Sequence, residues 1–457
     1  MSAAHGGERI LILGGGFGGV YCAKRLERLM ARHNLDFQIT LVSRQNFFVF
    51  TPMLPQVISG MIESNHVVVP IRQILKNTRF YEAEVQSIDA VNKKVLIRTG
   101  SNIDDADPNT AIANGFEAGQ GRSPYGSTMP DLIALEYDHL VICLGSDTNF
   151  MCMPEIEDNV FVLKNLKDAL VLRNHIIDML ERADIESDGD RRRQMLNFVI
   201  VGGGLSGIET AAELNQFLHD VIKYYPSLMA EFSGTIPKII VVQSRDRILP
   251  EVNSRLAEYA SRKLRQEGIS IILNSRVTDV AKDHVVILDK KENIKSTIPT
   301  ETVLWTAGIS PNSIIASIPC DKPSSGRLPV DSHLRVQGHQ NIWAIGDCAY
   351  ILDEKNGEQF PPTAQYAIRE AELVANNLVA SLTHEQHFRL RKFAYSRKAQ
   401  MAIIGKRAAI ANVGGINISG LVAWCIWRVV YLAKLPMLKK RLRIMFDWTI
   451  DLFFDSD

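Results

Sequence analysis

The chain carries the spacing Gly-x-Gly-x-x-Gly twice. Gly14-Gly-Gly-Phe-Gly-Gly19 follows the apolar run Ile10–Leu13, and Gly202-Gly-Gly-Leu-Ser-Gly207 follows Phe198–Val201. At a strand-to-helix junction each glycine has a physical use. The first permits a tight turn, the second lets backbone approach a pyrophosphate, and the third lets helix and strand pack closely. The helix N-terminus then offers unpaired N–H groups to the phosphates. Two such turns predict two dinucleotide sites, either two nicotinamide sites or one flavin and one nicotinamide. The second arrangement would move a hydride from nicotinamide to flavin and pass electrons onward. Gly14, Gly16, Phe17, Gly18 and Gly19 are the expected contacts of the first site, and Gly202, Gly204, Leu205, Ser206 and Gly207 of the second.

The residue closing the second strand of such a unit ordinarily offers an acid to ribose hydroxyls. Here the aligned residues are Ser43 and Gln243. Ser43 can still hydrogen-bond a ribose, and Arg44 can lie against adenine or a phosphate. Gln243 does not repel a 2′-phosphate, and Arg245, one position past Ser244, can pair with one. NADPH is therefore expected to be accepted alongside NADH. Glu209 follows Gly207 by two positions, where the helix dipole stabilises a carboxylate. Glu213 is one turn on, on the same face.

These residues need strands and helices to hold them. The first unit predicts strands at 10–13 and 37–42 around a helix reaching Arg32; the second predicts strands at 198–201 and 239–242 around a helix from Ile208 to about Lys223. Three further apolar runs end at or near a glycine: Tyr137 to Gly145, Thr302 to Gly308, and Asn341 to Asp347. Continuous apolar strands indicate a sheet covered on both faces. Residues 100–131, with five glycines and three prolines, read as an exposed loop joining two strands, and 184–193 as a second polar loop.

With 457 residues, 46% hydrophobic and 22% charged, the chain is long enough for two or three domains and too apolar to be disordered. Six cysteines without a C-x-x-C make neither a disulfide framework nor a zinc site, so no metal is expected. Nothing near residue 1 reads as an export signal, and a reducing cytoplasmic setting is expected. The formal net charge of zero divides unevenly. Residues 391–457 hold 12 bases and four acids, which makes this tail +8 and the remainder −8. Such asymmetry suggests an anionic surface as partner for the tail.

Gly14–Gly19, Gly202-Gly-Gly-Leu-Ser-Gly-Ile-Glu209, Leu304-Trp-Thr-Ala-Gly-Ile-Ser-Pro-Asn312, Ala344-Ile-Gly-Asp-Cys-Ala349, Pro361-Pro-Thr-Ala-Gln-Tyr-Ala367 and the aromatic, basic C-terminus occur together in one family. The chain resembles the type II NADH dehydrogenases, single-chain FAD enzymes that reduce membrane quinone without pumping protons. The resemblance runs from about residue 8 to about 454. It implies that the first glycine turn cradles the FAD pyrophosphate and the second holds NADH. It implies that Asp347 accepts hydrogen bonds from the ribityl chain, and that Thr51, Pro52 and Met53 pass the flavin ring. Gly145, Gly346, Ala364, Ala307 and Gly308 are counted among the cofactor-contacting positions. Glu209 is implied to act in catalysis, Gln365 to hydrogen-bond a quinone oxygen, and Lys398 to support charge on a reduced quinone. Glu213 is assigned to helix structure. Arg369 stands where the family often has a second Gln.

The resulting expectation is an α/β protein of glutathione-reductase type: two dinucleotide-binding, Rossmann-like domains and a C-terminal amphipathic helical membrane-anchoring region. Residues 8–165 and 319–390 would form the two parts of the FAD domain, 166–318 the NAD(P)H domain, and 391–457 the anchor. Two short helices broken at Pro436 are expected in the tail. In the second, Leu438, Leu442, Met445, Phe446, Thr449 and Phe453 share one face near the bases Lys439, Lys440, Arg441 and Arg443, as in a helix lying in a membrane interface. The expected partners are a membrane quinone and an anionic lipid surface on the cytoplasmic face of the inner membrane, with homodimerisation compatible and no nucleic acid. Removing residues from about 419 onward would then release the protein from membranes and spare flavin reduction. The alternatives are a membrane-attached flavoprotein redox sensor of slow turnover, or a sulfide:quinone-type reductase. The second needs redox cysteines, for which Cys152 and Cys348 are the one plausible pair.

Overall fold

A computed structural model describes residues 7–99, 132–151, 153–230, 237–383, 389–395 and 399–451. The chain divides into two compact units: 1–48, 69–147 and 310–395 form one, and 49–68, 148–309 and 396–457 form the other.

The first unit is built on a five-stranded parallel sheet. Its strands run in the order Ile342–Ala344, His139–Ile142, Arg9–Leu13, Gln38–Ser43 and Arg79–Glu82. Its central strands are β-branched or leucine-rich, and Ile10, Leu11, Ile12 and Leu13 are at most 2% exposed. That is the burial expected where both faces of a parallel sheet are covered. The helix Phe17–His33 leaves the first glycine turn and packs against the helix Ala364–Leu382. Lys94–Arg98 and Leu132–Glu136 pair antiparallel, so the glycine-rich stretch joins two adjacent strands; residues 100–131 themselves lie outside the described residues.

The second unit repeats the plan on a four-stranded parallel sheet in the order Ser270–Ile272, Lys238–Val242, Asn197–Val201 and Thr302–Trp305. The helix Leu205–Val221 leaves the second glycine turn and is buried along most of its length. The helices Leu54–Ile58 and Leu166–Ile185 belong to the same unit. The latter starts at a capping box, in which the Asn165 side chain accepts the Asp168 N–H and the Asp168 carboxylate accepts the Asn165 N–H, both at 3.0 Å. Such a cap contributes about 1 kcal/mol.

Two expectations are corrected. Residues 184–193 do not form a polar loop: Leu166–Ile185 is helical throughout, and a second helix, Gly189–Met195, begins after Asp188. The Asp188 side chain accepts the Asp190 and Arg191 N–H groups, so polarity here is a helix cap followed by an exposed helix face. The tail is not wholly helical either. Ala399–Gly405, Ala408–Val413 and Ile416–Gly420 form an antiparallel sheet. Gly414 and Gly415, with φ of 59° and 90°, turn its second hairpin. Paired positive φ values suit the twist of antiparallel strands, and the Gly-Gly dipeptide was the signal for it.

Beyond the sheet the two expected helices are present, Leu421–Lys434 and Leu438–Ile450, with the break at 435–437. Their inner side is anchored in the second unit by Ala423, Trp427, Ile444 and Trp448, each at most 4% exposed. Truncation at 419 would therefore strip core from this unit, and it is not a clean test of membrane attachment. Among the described residues, no helix is long and apolar enough to cross a membrane.

Candidate active site

In the first unit, Gly14 takes φ 109°, and a β-carbon on Gly19 would stand 1.9 Å from the Gly14 carbonyl oxygen. Turn and helix close only because neither residue has a side chain in the way. Gly16 is the N-cap, extended and without a side-chain cap, and an added β-carbon there would meet nothing within 4 Å. The first-turn N–H groups thus face an open cradle that fits a pyrophosphate. Phe17 is half-buried, while Gly18 and Gly19 are buried against the sheet. Ser43 is half-buried, its Oγ accepting the Gln45 N–H at 3.3 Å, and Arg44 is exposed.

The same unit places Asp347 in a short turn, where its carboxylate accepts the Ser146 hydroxyl at 2.7 Å. Gly145, next to Ser146, has φ 72° and open space at its β position. Gly346 donates its N–H to Glu370 at 2.7 Å. Glu370, which sequence reasoning passed over, is 2% exposed, and burial pushes its carboxyl up to about 7. Its signal was an acid on the apolar face of the helix that begins at Ala364. Gln365, in that helix's first turn, donates to the Tyr395 hydroxyl. Cys348 is fully buried, donates to the Ile142 and Ile345 carbonyls, and is pushed up to about 12 by burial. A thiol so held is a poor nucleophile. Cys152 and Lys398 lie outside the described residues.

The second unit repeats the cradle. Gly202 has φ 111°, a β-carbon on Gly207 would stand 2.0 Å from the Gly202 oxygen, and the N-cap Gly204 has no side-chain cap. Leu205 is half-buried and Ser206 exposed. At the strand end, the Gln243 amide is turned inward: Nε2 donates to the Arg247 carbonyl at 3.3 Å and Oε1 accepts the Ser244 N–H at 3.0 Å. Ser244 and Arg245 are exposed. Trp305 donates its indole N–H to the Ala307 carbonyl, and Gly308, with φ 87°, would place a β-carbon 2.4 Å from Met151. Thr51 is exposed, Pro52 half-buried and Met53 fully buried, in the turn before the Leu54–Ile58 helix.

Two carboxyls are buried in the Leu205–Val221 helix. Glu209 is 9% exposed and accepts the Ile403 N–H at 3.3 Å; burial, reinforced by Glu213, pushes it up to about 8. Glu213 is 3% exposed, with Gln56 Nε2 donating at 3.3 Å and Ser59 Oγ at 3.1 Å. Burial pushes it up to about 7 against those two hydrogen bonds. Ordinary helix-surface acids are exposed, so helix structure alone does not account for Glu213. Gln56 and Ser59 were not legible as site residues, because they meet a helix 157 and 154 positions away in the chain. Tyr431, stacked on Trp427 with ring centroids 4.2 Å apart, is pushed well up by burial and by Glu209. Both carboxyls thus have proton affinities near neutral pH, which suits groups that exchange protons.

Residues 8–371 match the family model described as pyridine nucleotide-disulphide oxidoreductase, and residues 398–457 match the NDH2 C-terminal domain. A probable NADH dehydrogenase of Dictyostelium discoideum is 31% identical over 457 residues, covering 98% of this chain and 90% of that protein. The type II NADH:quinone oxidoreductase Ndh of Mycobacterium tuberculosis is 27% identical, covering 97% and 88%. The solved structure of NDH2 from Plasmodium falciparum in complex with NADH superposes with a TM-score of 0.84 at 22% identity, covering 98% of this chain and 99% of that one.

Proposed function

The chain belongs to the pyridine nucleotide-disulphide oxidoreductase family, as a type II NADH dehydrogenase, and from that premise we propose that it oxidises NADH or NADPH and reduces a membrane quinone through FAD without pumping protons. The observation that carries this reading is the pairing of two open glycine cradles with a buried carboxyl, Glu209, in the helix that the second cradle opens.

FAD, when bound, supplies the two-electron redox chemistry that neither carboxyl nor amide side chains can perform. The chain's own residues bind and orient. Gly14, Gly16 and the first-turn N–H groups of the Phe17–His33 helix would hold its pyrophosphate, and Asp347 would hold its ribityl chain with Ser146 as support. Gly202, Gly204 and the first turn of Leu205–Val221 would hold NADH. Glu209, with its proton affinity raised by burial, would donate a proton to the quinone, and the Gln365 amide would offer a hydrogen bond to a quinone oxygen. The uncharged Gln243 and exposed Arg245 support acceptance of a 2′-phosphate.

Membrane attachment follows from the outer side of the last two helices. Leu438 is 70% exposed, Phe446 62% and Ile450 58%, with Leu442 and Met445 between them and Lys439 beside them. An apolar stripe flanked by bases suits a peripheral helix on anionic lipid. On this reading the protein lies on the cytoplasmic face of the inner membrane, as a monomer or a homodimer.

Anaerobic stopped-flow absorbance tests the reaction. NADH should bleach bound flavin, and a short-chain quinone should restore the oxidised spectrum; bleaching without quinone-dependent recovery overturns the proposal. Steady-state rates test nucleotide choice. NADPH turnover below about one hundredth of the NADH value, about 2.7 kcal/mol of discrimination, would remove NADPH from the reading.

A further inference from the structure

Oxidation of NADH releases a hydride, which carries two electrons and one proton, whereas a quinol carries two electrons and two protons. One proton per turnover therefore comes from water and must reach a carboxyl that is buried. We propose that Glu213 is the station that passes this proton from a solvent-open cleft to Glu209. The proposal rests on the quinone-reductase reading above and goes beyond it by assigning the route.

The cleft has a cavity volume of about 20 Å³, room for a water, and Glu213, Gln216, Lys406, Arg407, Arg428 and Asp451 contribute to its lining. Glu213 is among the lining residues and Glu209, one helical turn back on the same helix, is not. Carboxyls at i and i+4 have β-carbons about 5–6 Å apart, within reach of one another directly or through one water. A cleft with this many polar groups can hold water in defined positions.

The surroundings let Glu213 change charge without losing its partners. Gln56 and Ser59, from the Leu54–Ile58 helix and the residue that follows it, are neutral. Gln56 donates, and a serine hydroxyl can donate or accept. The charged groups facing the pair come from every neighbouring element. Arg428 and Tyr431 come from the Leu421–Lys434 helix, Asp451 from the end of Leu438–Ile450, and Lys406 and Arg407 from the hairpin turn. Arg428 is held by Asp451 at 3.7 Å and lies over the Trp424 ring at 3.7 Å, and Lys406 lies 3.8 Å from Asp220. The cations are thus partly neutralised elsewhere, and none forms a direct ion pair with Glu213 among the described contacts. Gln56 is itself fixed by the Trp448 indole N–H, which donates to its Oε1 at 3.1 Å. Burial raises both carboxyls above their ordinary range, so each can hold a proton near neutral pH.

In the step, the Glu213 O–H bond breaks and its proton passes to Glu209, while the Glu209 proton passes to quinone oxygen. A proton from bulk solvent, relayed by water in the cleft, then reprotonates Glu213. Glu213 touches neither substrate nor cofactor in this scheme; it is a positioning and supply residue.

The test measures the two half-reactions of flavin-loaded protein separately, for unmodified enzyme and Glu213→Gln, between pH 6 and 9. Reduction by NADH needs no proton from water, so its rate should be unchanged. Reoxidation by a short-chain quinone should slow at least tenfold, lose its pH dependence near neutrality and recover when formate is added as a small proton donor. Infrared difference spectra between oxidised and reduced protein should lose a carboxylic acid C=O band in the variant. Unchanged reoxidation overturns the proposal, and so does equal slowing of both half-reactions without formate rescue, which would mark a purely architectural residue. Should Glu213→Gln not fold with flavin, Gln216→Leu, which keeps both carboxyls and dries the cleft, carries the same comparison. An unmodified protein that fails either half-reaction refutes the proposed function itself, a result distinct from failure of the relay alone.

Discussion

Replacing Glu209 by Gln should stabilise the protein, and increasingly so as pH rises. The substitution keeps an oxygen acceptor for the Ile403 N–H and removes a carboxyl that burial has pushed from 4.5 to about 8. Below about pH 4.5, folded and unfolded chains both hold the proton and the group contributes nothing. Between there and about pH 8 the unfolded chain releases it while the folded chain keeps it, so stability falls with pH by about 1.4 kcal/mol per unit. From pH 5 to pH 8 that amounts to about 4 kcal/mol, and above pH 8 the loss levels off. In a unit of roughly 250 residues, each kcal/mol moves the melting temperature by about 2–4 °C. The melting difference between Glu209→Gln and unmodified protein should therefore widen by about 10 °C across this range. Scans of both proteins at pH 5, 6, 7 and 8, at one scan rate, supply the assay. Glu370, in the other unit, cancels in the difference. A difference that stays constant with pH would show that Glu209 is ionised and paired in the folded protein, and the argument from burial would fail.

Other outcomes follow from single contacts. Gly207→Ala puts a β-carbon against the Gly202 carbonyl and should weaken NADH binding at least tenfold while leaving flavin content intact; equilibrium titration and the flavin spectrum measure both. The pair Leu442→Asp and Phe446→Asp removes about 3 kcal/mol of exposed apolar surface and should cut pelleting with anionic liposomes at least tenfold, with the melting temperature unmoved. Retained pelleting would place the membrane contact elsewhere. Trp448→Phe keeps an aromatic ring but loses the hydrogen bond to Gln56, about 1 kcal/mol, and part of a buried side chain, so the melting temperature should drop by at least about 2–4 °C. Gln243→Glu loses the donor to the Arg247 carbonyl and adds negative charge at the strand end, and should lower NADPH turnover relative to NADH in steady-state assays.

Much of the scaffold could be read from local pattern. The strands at Arg9–Leu13 and Asn197–Val201, the helices that leave both glycine turns, and the helix break near Pro436 all lie where apolar runs, glycine spacing and proline put them. The tail sheet was less legible. Between Arg407 and Arg428 the chain is uncharged, which hid strand alternation, and only Gly414-Gly415 marked a hairpin. The 184–193 stretch was misread because polarity alone does not separate a loop from an exposed helix with an aspartate cap.

The glycine cradles and the buried carboxyls mark the boundary between the two kinds of information. A positive φ at Gly14 and Gly202, and a missing β-carbon where helix crosses strand, are demands made by neighbours a few residues away, so six residues suffice to state them. Proton affinity is not local. Glu209 and Glu213 stand on one helix at one spacing, and nothing in that spacing separates a solvated acid from a buried one. Residues 54–59, the 403–407 hairpin and the two last helices remove water from both, and those segments come from distant parts of the chain. The sequence alone determined where the two glycine turns lie. Only the tertiary structure decided which carboxyls have raised proton affinity, because desolvation depends on everything packed around a group and not on what precedes it in the chain.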